Sequence, residues 1–282
     1  MATYTNQATL TYGGNITNSN TVVSEVTEVL SATKTAVTKT YRANGIITYA
    51  ISIVNSASTA FTNLMLTDNL GEYTSGENSL TPLDLVEDSV LYYVNGVKQA
   101  TPTVTAGPPL VISGISVPAN GNTLIVYEAK ANNFAPLDSA GTITNSAFIN
   151  GDGLLNAITV TDTVSSVSEA TLTISKAVCP ATVTENGQMT FTFVIQNTGN
   201  TAAETGIVLT DTLSPILKSI SVTYNGDTWT EGTNYSYNVE TGLFESLANQ
   251  INVPAATFTQ NETTGTWTVT PGITTIKITG TV

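Results

Sequence analysis

Histidine is absent from the 282 residues, and cysteine occurs once, as Cys179. Without histidine the chain lacks the commonest general base at neutral pH and the commonest metal ligand. One thiol closes no internal disulfide, so no disulfide framework holds the fold. Positive charge is scarce as well: 8 Lys and Arg stand against 21 Asp and Glu, a net charge of -13. Such a surface repels nucleic acid and anionic lipid, which removes both from the expected partners. No apolar run is long enough to cross a bilayer, so no membrane insertion is expected. The opening residues, Met1-Ala2-Thr3-Tyr4-Thr5-Asn6, have no basic start and no apolar core. They do not read as a classical signal peptide. The sequence closes at Thr281-Val282 without an anchor or sorting tail, so a place outside the cell would need another route. Nothing makes a nucleophile–base pair, a phosphate loop or a metal cluster. No enzyme activity, cofactor or metal is expected.

What the chain does have is Thr, Asn, Val and Ile in short alternating runs punctuated by Gly, Asn and Pro. That pattern predicts an all-β fold of sandwich type, and the length suits two domains. An internal repeat organises it. Ile47-Thr48-Tyr49-Ala50-Ile51-Ser52-Ile53-Val54-Asn55 recurs as Met189-Thr190-Phe191-Thr192-Phe193-Val194-Ile195-Gln196-Asn197. Both runs follow an Asn-Gly turn, Asn44-Gly45 and Asn186-Gly187, and both alternate apolar with polar as a half-buried strand does. Leu66-Thr67-Asp68-Asn69-Leu70 recurs as Leu209-Thr210-Asp211-Thr212-Leu213, and Asn95-Gly96 as the hairpin signal Asn225-Gly226. Pro118 to Tyr127 matches Pro271 to Thr279 more loosely.

The two copies end differently. The first continues into Gly141 to Gly151, which reads as a closing strand. The second stops at Ile278-Thr279-Gly280-Thr281-Val282, where its closing strand should begin. A matching segment stands at the other end of the sequence. Thr5-Asn6-Gln7-Ala8 repeats the Thr-Asn-x-Ala core of Thr144-Asn145-Ser146-Ala147, and Thr21 to Val26 resembles Thr159 to Val164. The predicted architecture is therefore a donor strand or hairpin over residues 1–28, a first immunoglobulin-like β-sandwich over 29–165, and a second over 166–282 that lacks its closing strand. A donor strand carrying Thr5, Asn6, Ala8, Leu10 and Tyr12 from a neighbouring copy would complete it. This is strand addition, and a heterologous contact of that kind propagates head to tail into a homopolymer. The plainer readings are a segment folded back on its own second domain, a disordered leader, or an extra strand on the first domain.

Two lysines hold equivalent places, Lys34 and Lys176, each on the first strand of its sandwich. Asn145 and Asn6 are equivalent on closing strands, and Asp68 and Asp211 end equivalent apolar strands. First and closing strands are expected to be neighbours. A buried lysine favours its neutral, nucleophilic form, and a buried carboxyl its protonated one. The acid would hydrogen-bond the asparagine carbonyl, the amine would attack it, and ammonia would leave. Lys34, Asp68 and Asn145 would so crosslink the first domain, and Lys176 and Asp211 would meet Asn6 of another copy. The plainer reading makes the lysines solvated edge charges and the aspartates turn caps. Asn150-Gly151-Asp152-Gly153 lacks the full spacing of a calcium loop and reads as a hairpin turn. Trp229 and Trp267 are expected to pack, and Cys179 to be an idle thiol on a loop.

Thr33-Lys34, Ser175-Lys176, Thr48-Tyr49-Ala50-Ile51, Asn197-Thr198-Gly199, Leu209 to Leu213 and Thr144 to Ala147 together resemble a conserved-repeat domain of unknown function. That domain occurs in bacterial and archaeal surface proteins. The likeness covers nearly the whole chain in two copies. Short two-copy members of that kind resemble clostridial proteins, among them spore-appendage subunits. The resemblance implies an extracellular appendage or spore-surface subunit made in the mother cell, with other surface or appendage proteins as further partners. The expected function is a structural subunit of a fibre assembled by strand complementation. The alternative is an adhesin or ligand-binding surface module acting as a monomer.

Overall fold

In the computed structural model, which describes residues 2–282, all regular structure among the described residues is β. The N-terminal segment forms β1 (Ala2–Asn6), β2 (Thr9–Tyr12), β3 (Asn15–Asn18) and β4 (Val22–Val26). β1 pairs with β4 and β2 with β3, so residues 2–26 make one long hairpin. Gly13 and Gly14 turn it, both at positive φ, a conformation glycine adopts without a Cβ penalty. The hairpin pairs with neither sandwich, and strands β2, β3 and β4 are exposed along their whole length.

The first sandwich contains β5 (Leu30–Ala36), β6 (Thr40–Tyr41), β7 (Ile46–Asn55), β8 (Phe61–Asp68), β9 (Tyr73–Ser75), β10 (Asn78–Leu80) and β11 (Leu83–Leu85). It continues with β12 (Leu91–Val94), β13 (Val97–Lys98), β14 (Thr103–Thr105), β15 (Leu110–Val117), β16 (Gly121–Ala131), β17 (Thr142–Asn150) and β18 (Ile158–Ser166). One sheet runs β13-β12-β16-β7-β5 and the other β14-β15-β8-β17-β18-β6. Alternation along β7 and β16 sends Ile47, Tyr49, Ile51 and Ile53 and, opposite them, Ile125, Tyr127 and Ala129 into the core. Fully burying each large aliphatic side chain contributes about 1.5–3 kcal/mol. The expected adjacency of first and closing strands is corrected here. β5 and β17 lie in opposite sheets, so Lys34 and Asn145 face each other across the core rather than along one edge.

The second sandwich contains β19 (Leu172–Cys179), β20 (Gln188–Asn197), β21 (Thr210–Thr212), β22 (Lys218–Tyr224), β23 (Asp227–Trp229) and β24 (Tyr235–Tyr237). After them come β25 (Leu243–Ser246), β26 (Thr257–Gln260), β27 (Trp267–Thr270) and β28 (Gly272–Thr281). Its sheets run β19-β20-β28-β22-β23 and β21-β25-β24. β7 and β20 pair alike with β16 and β28, Asn55 opposite Gly121 and Asn197 opposite Gly272. This register puts Ile278, not Thr279, in the place of Tyr127. Asn95 and Gly96, and Asn225 and Gly226, sit at positive φ in the hairpins β12–β13 and β22–β23, as their sequence signal demands. The first sheet of each domain is therefore built alike. The second sheets differ: β8 is flanked by β15 and β17, whereas β21 has β25 on one side and no strand on the other among the described residues.

The β26–β27 arm has no counterpart in the first copy. It reaches back to the first sandwich, where Gln260 Nε2 donates to the Tyr73 hydroxyl at 2.9 Å and Trp267 N–H to the Asn133 carbonyl at 3.0 Å. Arg42 makes a two-pronged bond to Glu169 across the same junction, Nε at 2.5 Å and Nη2 at 2.6 Å. Gly71 seats the closing strand. Its φ is +77° and a Cβ there would stand 2.5 Å from Ile143 Cγ2 on β17. Strain and overpacking add, so Gly71→Ala should destabilise the first sandwich by about 2–4 kcal/mol in urea titrations.

Candidate functional site

Four strands bring their side chains together around the Lys34 amine. β5 carries Lys34 inward because its inner row is Leu30, Ala32, Lys34 and Ala36. β8 ends at Asp68, β17 carries Asn145 inward, and β16 places Tyr127 between them. Lys34 Nζ lies 2.5 Å from Asp68 Oδ2, and both side chains are 0% exposed. The Tyr127 hydroxyl donates to the same Oδ2 at 2.6 Å and accepts from Asn145 Nδ2 at 3.1 Å. Asp68 Oδ1 caps the following turn by accepting from Leu70 N–H at 2.9 Å. Asp68 is thus both turn cap and ion-pair partner. Its expected contact with the asparagine carbonyl is corrected: Tyr127 stands between the two, and the buried Asn145 Oδ1 has no hydrogen-bond partner.

The electrostatics follow from burial. Desolvation pushes the Lys34 amine down to about 8, against the opposing pull of the Asp68 charge and hydrogen bond. Desolvation, reinforced by the Asp68 charge, pushes the Tyr127 hydroxyl well above its ordinary value. Two opposite charges at 2.5 Å in a dry core are costly to desolvate. Proton transfer from Nζ to Oδ2 would leave two neutral groups and a nucleophilic amine. Lys34 Nζ also lies 4.9 Å from the Tyr49 ring centroid, whose plane stacks on Tyr127.

The second sandwich repeats half of this cluster. Lys176 Nζ lies 2.5 Å from Asp211 Oδ2, but their side chains are 39% and 20% exposed. The cause is visible in the neighbours. β18 packs alongside β5, where Ala36 N–H donates to Asp162 Oδ2 at 2.5 Å. Nothing comparable covers β19 among the described residues, so Leu172, Ile174 and Val178 are exposed along the row that holds Lys176. No asparagine approaches Lys176 by hydrogen bond among the described residues, and the tyrosine positions are filled by Phe191 and Ile278.

Asn6 ends β1, with Thr5 beside it, and β1 pairs with β4 rather than with a strand of either sandwich. Ala8 bonds to Ser19, and Leu10 and Tyr12 lie on β2 with exposed side chains. Pairing sets Val22 opposite Asn6, where Asp162 stands opposite Asn145. The flank alignment, which matched Val22 with Val160, is therefore two residues out of register, although side-chain facing is kept. Sequence reasoning missed Tyr127 and Tyr49. Their signal was available in the mismatch of Tyr49 with Phe191 at equivalent positions. Trp229 packs against Tyr224 with ring centroids 5.1 Å apart. Cys179 is exposed and ends β19 rather than lying on a loop.

No protein-family model and no curated protein matches this sequence. Solved structures do. The major pilin subunit BcpA of Bacillus cereus is similar at 10% identity and a TM-score of 0.37, over 90% of this chain and 70% of that one. A two-domain fragment of the major pilin SpaD of Corynebacterium diphtheriae is similar at 11% identity and 0.37, over 85% and 88%. The collagen-binding domain of a Staphylococcus aureus adhesin is similar at 15% identity and 0.32, over 48% of this chain and 96% of that one.

Proposed function

We propose that this chain is a structural subunit that assembles head to tail. The β1–β4 hairpin of one copy takes, in the second sandwich of the next, the place that β17 and β18 hold in the first. The observation that carries this reading is a matched pair of incomplete surfaces. Among the described residues β21 has a free edge, the row of β19 is exposed, and the hairpin exposes Tyr4, Leu10, Tyr12, Val22 and Val26. Free edges and exposed apolar rows are normally covered in a folded protein. Register follows from the first sandwich, where Ala147 lies opposite Asp68. Ala8 then lies opposite Asp211 and Asn6 points at Lys176. The fibre would belong to a bacterial or spore surface and act by persistence rather than by turnover.

The same reading includes covalent locking. Lys34 Nζ forms an amide with Asn145 Cγ, and Nδ2 leaves as ammonia. Lys176 does the same with Asn6 of the neighbouring copy. Electron microscopy of the purified chain should show fibres that run as a ladder after boiling in detergent and reductant. Asn6→Ala should keep the fibres and abolish the ladder. A monomer with saturable ligand binding would instead support the adhesin reading.

A further inference from the structure

We infer that Tyr127 is the catalytic proton relay for the bond in the first sandwich, and that the joint between subunits lacks this relay. The inference rests on the amide-bond reading above. Three contacts carry it, in series: Lys34 Nζ to Asp68 Oδ2 at 2.5 Å, Oδ2 to the Tyr127 hydroxyl at 2.6 Å, and that hydroxyl to Asn145 Nδ2 at 3.1 Å. The nitrogen reached at the end of this chain is the leaving group.

Amide formation from an ammonium and a carboxamide has a definite proton balance. Nζ must lose two protons, and Nδ2 must gain one to leave as ammonia. The first proton passes from Nζ to Asp68 Oδ2. The neutral amine attacks Asn145 Cγ, forming the new C–N bond and placing negative charge on Oδ1. Tyr127 passes its own proton to Nδ2 and is reprotonated from Asp68. The Cγ–Nδ2 bond breaks, ammonia departs, and Asp68 takes the second proton from Nζ. No oxidant, metal or water enters. Asp68 alone cannot do this, because it makes no hydrogen bond to Asn145.

In the second sandwich the register places Ile278 where Tyr127 stands, and Phe191 where Tyr49 stands. Lys176 and Asp211 keep their 2.5 Å contact, yet neither Ile278 nor Phe191 carries a hydroxyl to reach an incoming Asn6. The two bonds should therefore form at different speeds: the internal one early and the joint slowly, after subunits have docked.

The test uses the full-length chain made by cell-free synthesis and sampled over time by intact mass and by denaturing gel. Wild type should lose one ammonia from the first sandwich well before the ladder grows. Tyr127→Phe, which keeps the ring but removes the hydroxyl, should slow that loss by about 100-fold, the usual weight of a positioned general acid. Ile278→Tyr should speed growth of the ladder about tenfold, and it decides the matter if Tyr127→Phe does not fold. Ammonia loss at the wild-type rate in folded Tyr127→Phe, or no acceleration in Ile278→Tyr, overturns the relay. A wild-type chain that never loses ammonia overturns the amide bond itself, a separate result.

Discussion

Deleting residues 1–26 should abolish fibres at every protein concentration, while the first sandwich keeps its fold. Among the described residues the hairpin makes no strand pairing with either sandwich, so its loss removes no strand from their sheets. The acceptor edge of β21 and the open row of β19 remain. The shortened chain should then act as a terminator: mixed into wild type, it occupies one growing end and shortens fibres in proportion to its share. A synthetic peptide of residues 2–26 should cap the acceptor of either chain. Leu10→Asp is the single-residue version. By repeat position Leu10 corresponds to Ile149, which is 0% exposed on β17. A carboxylate in that place loses about 2 kcal/mol of apolar burial and adds the cost of an unpaired buried charge. The critical concentration should rise by at least about 100-fold, measured by sedimentation. Fibres from the deleted chain, or an unchanged threshold in Leu10→Asp, would refute donation.

Much of this was legible in residues 1–282 because a repeat is its own control. The Asn-Gly signals, the alternation of Ile47 to Asn55 and the Lys34–Asp68 equivalence with Lys176–Asp211 needed no structure. What stayed hidden was three-dimensional. Strand order places β5 and β17 in opposite sheets, and nothing in a linear pattern distinguishes facing across a core from pairing along an edge. Tyr127 was missed for a related reason: it lies on β16, remote in sequence from Asp68, and reads as one more inward aromatic of a buried row, the mismatch of Tyr49 with Phe191 being its one signal. The two-residue slip between Val22 and Val160 is invisible because both registers keep valine on the same face. The arm formed by β26 and β27 has no repeat partner, so the comparison of copies could not assign it.

Asn145→Ala should lower the stability of the first sandwich by about 5 kcal/mol and make it depend on pH in a way the wild type does not. A bond between Lys34 and Asn145 closes a loop of about 110 residues, and by chain entropy such a link restricts the unfolded state by about that amount. Loss of the Nδ2 hydrogen bond alone would account for only about 1–3 kcal/mol, so the size of the effect separates the two causes. The pH term comes from the freed lysine. Its amine sits at about 8 when folded and 10.5 when unfolded. Between those values the unfolded chain holds a proton that the folded chain has released, so stability rises with pH. Below about pH 8 both states are protonated and the slope vanishes. Above about pH 10 unfolded tyrosines ionise while buried Tyr49 and Tyr127 do not, so stability falls again. The expected gain from about pH 8 to pH 10 is on the order of 2 kcal/mol. On the amide-bond proposal, Nζ of the wild type is an amide nitrogen that cannot titrate, so its profile should be flat over that window. Urea titrations of both full-length chains, read by limited proteolysis of the first sandwich, make the comparison. Coincident curves would mean that Lys34 is a free amine in the wild type too, and that the core holds an ion pair rather than a bond.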